Sequence, residues 1–396
     1  MRRILASFAA DRRRLLLFLA FFSFAVNLRG PLIAISPVID AVRADLGIDD
    51  ATAGVLTTLP VLCFSFAAPL AAWLLARFGI ETGVLLTLGG LALGSVVRAL
   101  DGFGVALAGT ALIGLAITVG NIVALMIIMR DYFERRRSMT AIDVFAMNLG
   151  GMACAAFTAP IAEVAGWRIA IAVWALPALL SAALWLALRR RPANPVDPVA
   201  ESASPPSATP VWRRALPWLI GLAFGAHTAI FYGFAAWLPR YLGDAAAMSV
   251  TAAGYAASLF QILGLAGSFG VPILMTARGV SRFAPLLSVS LAWLVMPIGL
   301  LLAPQWWLLW LVFGGYASGG GFAVIFTLIM ERAVGQDDNR RITAFVQGVG
   351  YLIAAVSPTV LGYALQTSGN WTAGFLFLAT LAVINAGCGV AAIARK

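Results

Sequence analysis

The sequence predicts an all-α membrane protein, with twelve transmembrane helices arranged as two pseudo-symmetric six-helix bundles. Composition is the first reason: of 396 residues 61% are hydrophobic and only 11% charged, too little polar material to cover a soluble globule. Spacing is the second. Apolar windows of about 20 residues, enough to cross the hydrocarbon layer, recur along the whole chain. The third is an internal repeat at a shift of about 200 residues.

The windows fall at 15–39, 52–76, 82–100, 103–129, 139–163 and 167–188, then at 215–238, 251–276, 284–303, 306–330, 342–365 and 372–394. The first follows Arg12 to Arg14 and so imitates a secretory signal, but its length and the eleven windows behind it make it an uncleaved first span. Arginine placement orients the set. With both termini in the cytoplasm, that side receives Arg2, Arg3 and Arg12 to Arg14, then Arg77, Arg130, Arg135 to Arg137, Arg189 to Arg191, Arg213 and Arg214. It also receives Arg278, Arg282, Arg332, Arg340, Arg341, Arg395 and Lys396. Only Arg43, Arg98, Arg168 and Arg240 fall on the other side or at its edge, the bias expected of cytoplasmic loops. The net charge of +10 thus reports topology and contact with membrane lipid headgroups; arginines scattered over separate connections are poorly explained by nucleic acid.

The most polar connection, 189–214, contains six prolines among Ala and Ser and divides the spans six and six. It is expected to be a cytoplasmic linker at 191–211 between an N-terminal bundle at 1–190 and a C-terminal bundle at 212–396. Across it Ala53-Gly54 recurs as Ala253-Gly254, Ile128-Met129 as Ile329-Met330, Thr140-Ala141 as Thr343-Ala344, and Gly166-Trp167 nearly as Gly369 to Trp371. Two parallel six-span halves with a solute site between them near the midplane are the build of an alternating-access carrier. Cys63, Cys154 and Cys388 lie far apart within spans. Neither a disulfide framework nor a metal site is expected, and no cofactor is implied.

Few polar residues lie inside the spans. Arg29 sits mid-window, followed by Gly30 and Pro31; a permanently charged guanidinium there costs about 2.5–3.5 kcal/mol on insertion scales, so it needs an anion, a dipole or a wet cavity. Pro31 loosens the helix from residue 27 onward, and only such a break lets Asn27 and Arg29 face one cavity. His227, the single histidine, occupies the repeat position opposite Asn27. It can bind solute, carry a coupled proton or simply pack, and Phe231 lies one turn further on. Gln347 and Tyr351 share a face of span 11, while Gln261 and Asn121 lie within spans 8 and 4. Each amide can equally be helix glue; together they supply the convergent polar groups a small-solute pocket needs. Asp143, one turn inside span 5, is a candidate proton or gate group, or a helix-start charge.

Asn27-Leu28-Arg29, Leu56 to Leu62, Gly120-Asn121, Gly166-Trp167-Arg168, Trp237-Leu238-Pro239 and Gln347 to Tyr351 together resemble the major facilitator superfamily, and more narrowly its cyanate and nitroimidazole transporter branch. The resemblance implies a monomeric secondary transporter in the bacterial inner membrane, for a small anionic or polar solute, with protons as a candidate coupling ion. The superfamily's loop 2–3 signature is degraded. Ala76-Arg77-Phe78-Gly79 has Ala where an acidic residue is usual, which leaves the gate role of Arg77 open. The alternative is a proton-coupled exporter of drugs or metabolites. An enzyme is not expected, because a single histidine, no nucleotide loop and no soluble domain leave no catalytic grouping.

Overall fold

The computed structural model describes residues 12–188 and 210–395. Within them the chain is entirely helical. The linker expected at 191–211 lies outside the described residues except for its last two positions, as do Arg2, Arg3, Arg189 to Arg191 and Lys396.

Span 1 is built in pieces: α1 (Arg12–Asn27), the single turn α2 (Gly30–Ile33), a 3-10 turn at Ser36–Val38, and α3 (Ile39–Leu46). The prolines explain the interruptions. Pro31 enters the first turn of α2, where its missing N–H costs nothing, and Pro37 does the same in the 3-10 turn. The span therefore runs on to Leu46, beyond the expected end at 39. Span 2 is α4 (Asp50–Phe66) continued through a bend at Ala67 into the start of α5 (Ala68–Arg98). Gly79, at φ 75 and ψ 174, breaks α5 and begins span 3. Span 4 is α6 (Phe103–Asp131). Helix α7 (Arg136–Ala172) is broken in turn at Gly166 (φ 83, ψ 157), where span 6 begins, to be completed by α8 (Ala175–Leu188).

The second set is more regular: α9 (Ala215–Ala246), α10 (Val250–Thr276), α11 (Ala284–Leu302), α12 (Trp307–Arg332), α13 (Gly335–Ser368) and α14 (Thr372–Ala394). Ten helices of the described residues are long and apolar enough to cross a membrane; Asp50–Phe66 and Ala175–Leu188 fall short as uninterrupted helices.

Helices of the first set pack on one another, as do those of the second, and the two sets meet mainly through α4 against α13 and α7 against α10. The internal repeat is visible atom by atom. Gly47 (φ 62) and Ala247 (φ 52) both take the left-handed conformation after spans 1 and 7. Asp49 and Ser249 then cap the next helices, accepting the N–H of Thr52 at 2.8 Å and of Ala252 at 3.2 Å. The Trp167 indole donates to Asp45 at 3.2 Å, and that of Trp371 to Asp244 at 3.1 Å. Gly54 lets α4 press on α13, where a Cβ would stand 2.8 Å from the Pro358 carbonyl oxygen. Gly254 does the same for α10 on α7, with the Ala155 carbonyl oxygen at 2.8 Å.

Candidate functional site

The break in span 1 sets Arg29 between two helical pieces, at φ −122 and ψ −29. Its side chain leaves the helix line toward α7. One Nη donates to Asn148 Oδ1 at 2.5 Å, and the guanidinium lies over the Phe231 ring of α9, 5.2 Å from its centroid. The residue is half-buried. No ion pair at contact distance engages it among the described residues; Asp143, Tyr232 and Tyr351 are near enough to interact with it electrostatically.

The two neutral contacts are of a size to hold the charge without cancelling it. A hydrogen bond to a charged donor contributes about 1.5–3 kcal/mol. A cation–π contact adds about 0.5–2. Their sum is comparable with the cost of placing the charge there. Arg29 can thus sit in the membrane without a carboxylate in contact among the described residues, and four of its five N–H donors remain free of Asn148.

A small residue lets side chains approach it closely. A Cβ on Gly151 would stand 3.3 Å from Arg29 Cδ and 3.7 Å from Gln261 Cδ, so both side chains converge on this glycine. Gln261 is 3% exposed and its Oε1 has no hydrogen-bond partner among the described residues. Aromatic rings close the wall. Phe231 stacks on Phe260 at 5.8 Å and meets Tyr232 edge-on at 5.1 Å, while Tyr351 contacts Phe224 at 5.3 Å and Phe64 at 5.5 Å.

Arg29, Phe231, Gln261 and Tyr351 are therefore brought together from spans 1, 7, 8 and 11. Asp143 is 7% exposed with Oδ1 unpartnered among the described residues, and it is near enough to Arg29 to interact with it electrostatically. Asn121 and Gln347 are half-buried, with no hydrogen bond to a described residue.

Three expected residues lie elsewhere. Asn27 turns its amide to the Ser23 carbonyl at 2.7 Å and the Pro177 carbonyl at 3.5 Å, because the break begins after it and leaves it on the regular face of α1 against α8. His227 is wholly buried. Its Nδ1 accepts the Trp293 indole N–H at 2.8 Å, and its ring fills the space left by Gly321 beside Phe322, so it packs α9 against α11 and α12. Arg77 is exposed and lies over Trp73 and Phe78, at 5.9 and 5.7 Å from their centroids. Its signature neighbour Glu81 is held instead by Arg130 at 2.9 Å and by the Trp185 indole at 2.6 Å.

Two residues bonded at this break escaped sequence reasoning. Asn148 carries the signal of a mid-span amide just before Gly150-Gly151, a pair whose smallness speaks only of packing until Arg29 is placed beside it. Arg98 reads as an interfacial charge; it is 1% exposed and donates to the Pro31 carbonyl at 2.8 Å.

Comparison with known proteins agrees with this architecture. The protein called "Uncharacterized transporter YycB" from Bacillus subtilis (strain 168) is 30% identical over 368 residues, covering 91% of this chain and 90% of the relative. The 2-nitroimidazole transporter of Escherichia coli (strain K12) is 28% identical, covering 97% and 96%. The cyanate transport protein CynX of the same organism is 27% identical, covering 90% and 92%. Among solved structures, a bacterial homologue of the human lysosomal transporter Spinster, inward-facing and occupied, superposes with TM-score 0.74 at 16% identity over 97% of both chains. The sequence matches the family described as Major Facilitator Superfamily over residues 15–358, and with twelve spans arranged as that fold requires, the chain belongs to the Major Facilitator Superfamily.

Proposed function

We propose that this protein is a secondary active transporter of a small anionic or polar solute, cyanate-like or nitroimidazole-like, acting across the bacterial inner membrane by alternating access. The observation that carries the reading is Arg29: a half-buried charged residue at a helix break, in contact only with neutral partners among the described residues. Such a group attracts an anion or the negative end of a nitro group. The rings of Phe231, Phe260 and Tyr351 suit a flat solute. The buried, unpartnered carboxamide of Gln261 favours a ligand that also offers an N–H. Asp143 is the proton-coupling candidate, since an anion on Arg29 would weaken the electrostatic support its carboxylate receives.

The moving bodies are 1–190 and 212–396, joined by 191–211, with termini in the cytoplasm. On that orientation the end carrying Asp50 faces the periplasm and is latched. Arg240 of α9 pairs with Asp50, which Arg43 also reaches at 2.7 Å, and Gln366 donates to Asp49 at 3.1 Å. Ser36 donates to the Ala236 carbonyl at 2.6 Å, and Thr251 to Glu163 at 2.7 Å.

Binding to purified protein, read by thermal shift, tests the site with cyanate, nitrate, short carboxylates, 2-nitroimidazole and a lipophilic cation. Stabilisation by a small anion or 2-nitroimidazole is expected, reduced at least about tenfold in affinity by Arg29→Ala, the loss of one charge-assisted contact. Stabilisation by the lipophilic cation alone, indifferent to Arg29→Ala, would replace this reading with a proton-coupled exporter of drugs or metabolites.

A further inference from the structure

Arg98 ends α5, is 1% exposed, and has no carboxylate within ion-pair distance among the described residues. One nitrogen, Nη2, donates to the Pro31 carbonyl at 2.8 Å; Nε and Nη1 are buried without partners among the described residues. A guanidinium this poorly satisfied is costly, so hydrophobic filler would serve better were packing its only task. Its placement is specific. Gly109 of α6 admits the Arg98 backbone, where an added Cβ would fall within 3 Å of Arg98 Cα, and the side chain then reaches under α7 beside Cys154.

The carbonyl it takes belongs to the turn at which span 1 opens. Helical bonds of α2 end at Ile33 and Ala34, which donate to Arg29 and Gly30, and the next segment starts at Ser36 under the constraint of Pro37. On the other side Gly30 lies against α7, where a Cβ would stand 2.7 Å from Cys154 Sγ and 3.3 Å from the Gly150 carbonyl oxygen. Gly30-Pro31 is thus pinned between α7 and the Arg98 donor, directly behind Arg29.

We propose that Arg98 is a positioning residue for solute binding: by holding the Pro31 carbonyl it fixes the broken geometry of span 1 and hence the direction in which Arg29 points. This rests on the binding role proposed for Arg29. Arg98→Met removes the donor, Arg98→Gln keeps a shorter one, and Arg98→Lys keeps both donor and charge.

Two measurements decide it. In hydrogen–deuterium exchange of the ligand-free protein, Arg98→Met is expected to speed exchange about tenfold in a peptide covering 28–38, with Arg98→Lys near wild type. In binding of 2-nitroimidazole and cyanate to folded, monodisperse protein, Arg98→Met is expected to weaken affinity about tenfold, with rescue by Arg98→Lys and no further loss in an Arg29→Ala background. Should Arg98→Met not fold, Arg98→Gln takes its place in both. Unchanged exchange at 28–38, or an equal loss with and without Arg29, would overturn the assignment. If neither probe binds wild type, the substrate class fails while the exchange result still decides the role of Arg98.

Discussion

At the scale of single residues, the decisive quantity is how a charge is held. Arg29 has a hydrogen bond to Asn148 and a ring beneath it, but no counter-ion in contact; Arg98 has one carbonyl. Asn148→Ala should therefore loosen Arg29 without removing its charge, weakening solute affinity about three- to tenfold, an intermediate loss beside that of Arg29→Ala. Equal affinity in titrations of Asn148→Ala and wild type would show that Arg29 needs no such support. His227 makes the opposite case. Its Nδ1 accepts from Trp293 and its ring is packed in the core, with Nε2 buried and without a hydrogen-bond partner among the described residues. His227→Gln should lower stability by about 1–3 kcal/mol, the cost of a broken buried hydrogen bond. It should also leave the pH profile of transport unmoved, which uptake by proteoliposomes across pH 5–8 would check. The charge of Arg29 was legible as a group in need of partners, because an apolar window offers a permanent charge none along its own span. Asn148, Gly151 and Arg98 were not, since an amide, a glycine and an interfacial arginine acquire meaning only from a neighbour on another span.

At the scale of elements, the sequence located all twelve spans but not their continuity. The windows already parted spans 2 and 3 at 77–81 and spans 5 and 6 at 164–166. Hydropathy is blind to single backbone angles, so it was the fold that reduced each parting to one glycine, Gly79 or Gly166, and extended span 1 to Leu46. Pro31 did announce its interruption, because proline acts on the backbone itself. The paired connections after spans 1 and 7 differ in one instructive respect. Gly47 meets its left-handed conformation without strain, whereas Ala247 adopts φ 52 with a Cβ in the way. Ala247→Gly should raise stability by about 0.5–1 kcal/mol, and Gly47→Ala should lower it by about 1. Thermal unfolding of the two variants in detergent would test the pair, and a destabilised Ala247→Gly would show that the loop relaxes its strain elsewhere.

At the scale of the whole molecule, the repeat matters more than any one helix. Weak dipeptide matches proved to mark equivalent hydrogen bonds, such as the indoles of Trp167 and Trp371 on Asp45 and Asp244. They were legible because the same cap, turn and corner are needed twice. The latch around Asp50 was not, for it joins charges 190 residues apart in sequence, Asp50 and Arg240. Partly buried pairs lose more than surface ones when one member is neutralised. Asp50→Asn should release about 1–2 kcal/mol of closure, a factor of about 5–30 in the ratio of closed to open. A cysteine at Ala253, which is 2% exposed, in a background lacking the three native cysteines, should then react with a maleimide several-fold faster. An unaltered rate would mean that the ion pair does not govern closure.

The bare main-chain contacts at Gly54 and Gly254 bear on how such a door moves. Where two helices meet through interlocked side chains, parting them drags rotamers past one another; here carbonyl oxygens of Pro358 and Ala155 rest against hydrogen alone. At these two points no rotamer stands in the way of separation, although Thr58 with Thr359 and Ser65 with the Gly348 carbonyl still join α4 to α13 at 2.9 and 2.6 Å. Under the proposed transport reading, what resists their parting is then the set of contacts at the rim, the ion pair of Arg240 with Asp50 and the hydrogen bonds of Ser36, Gln366 and Thr251.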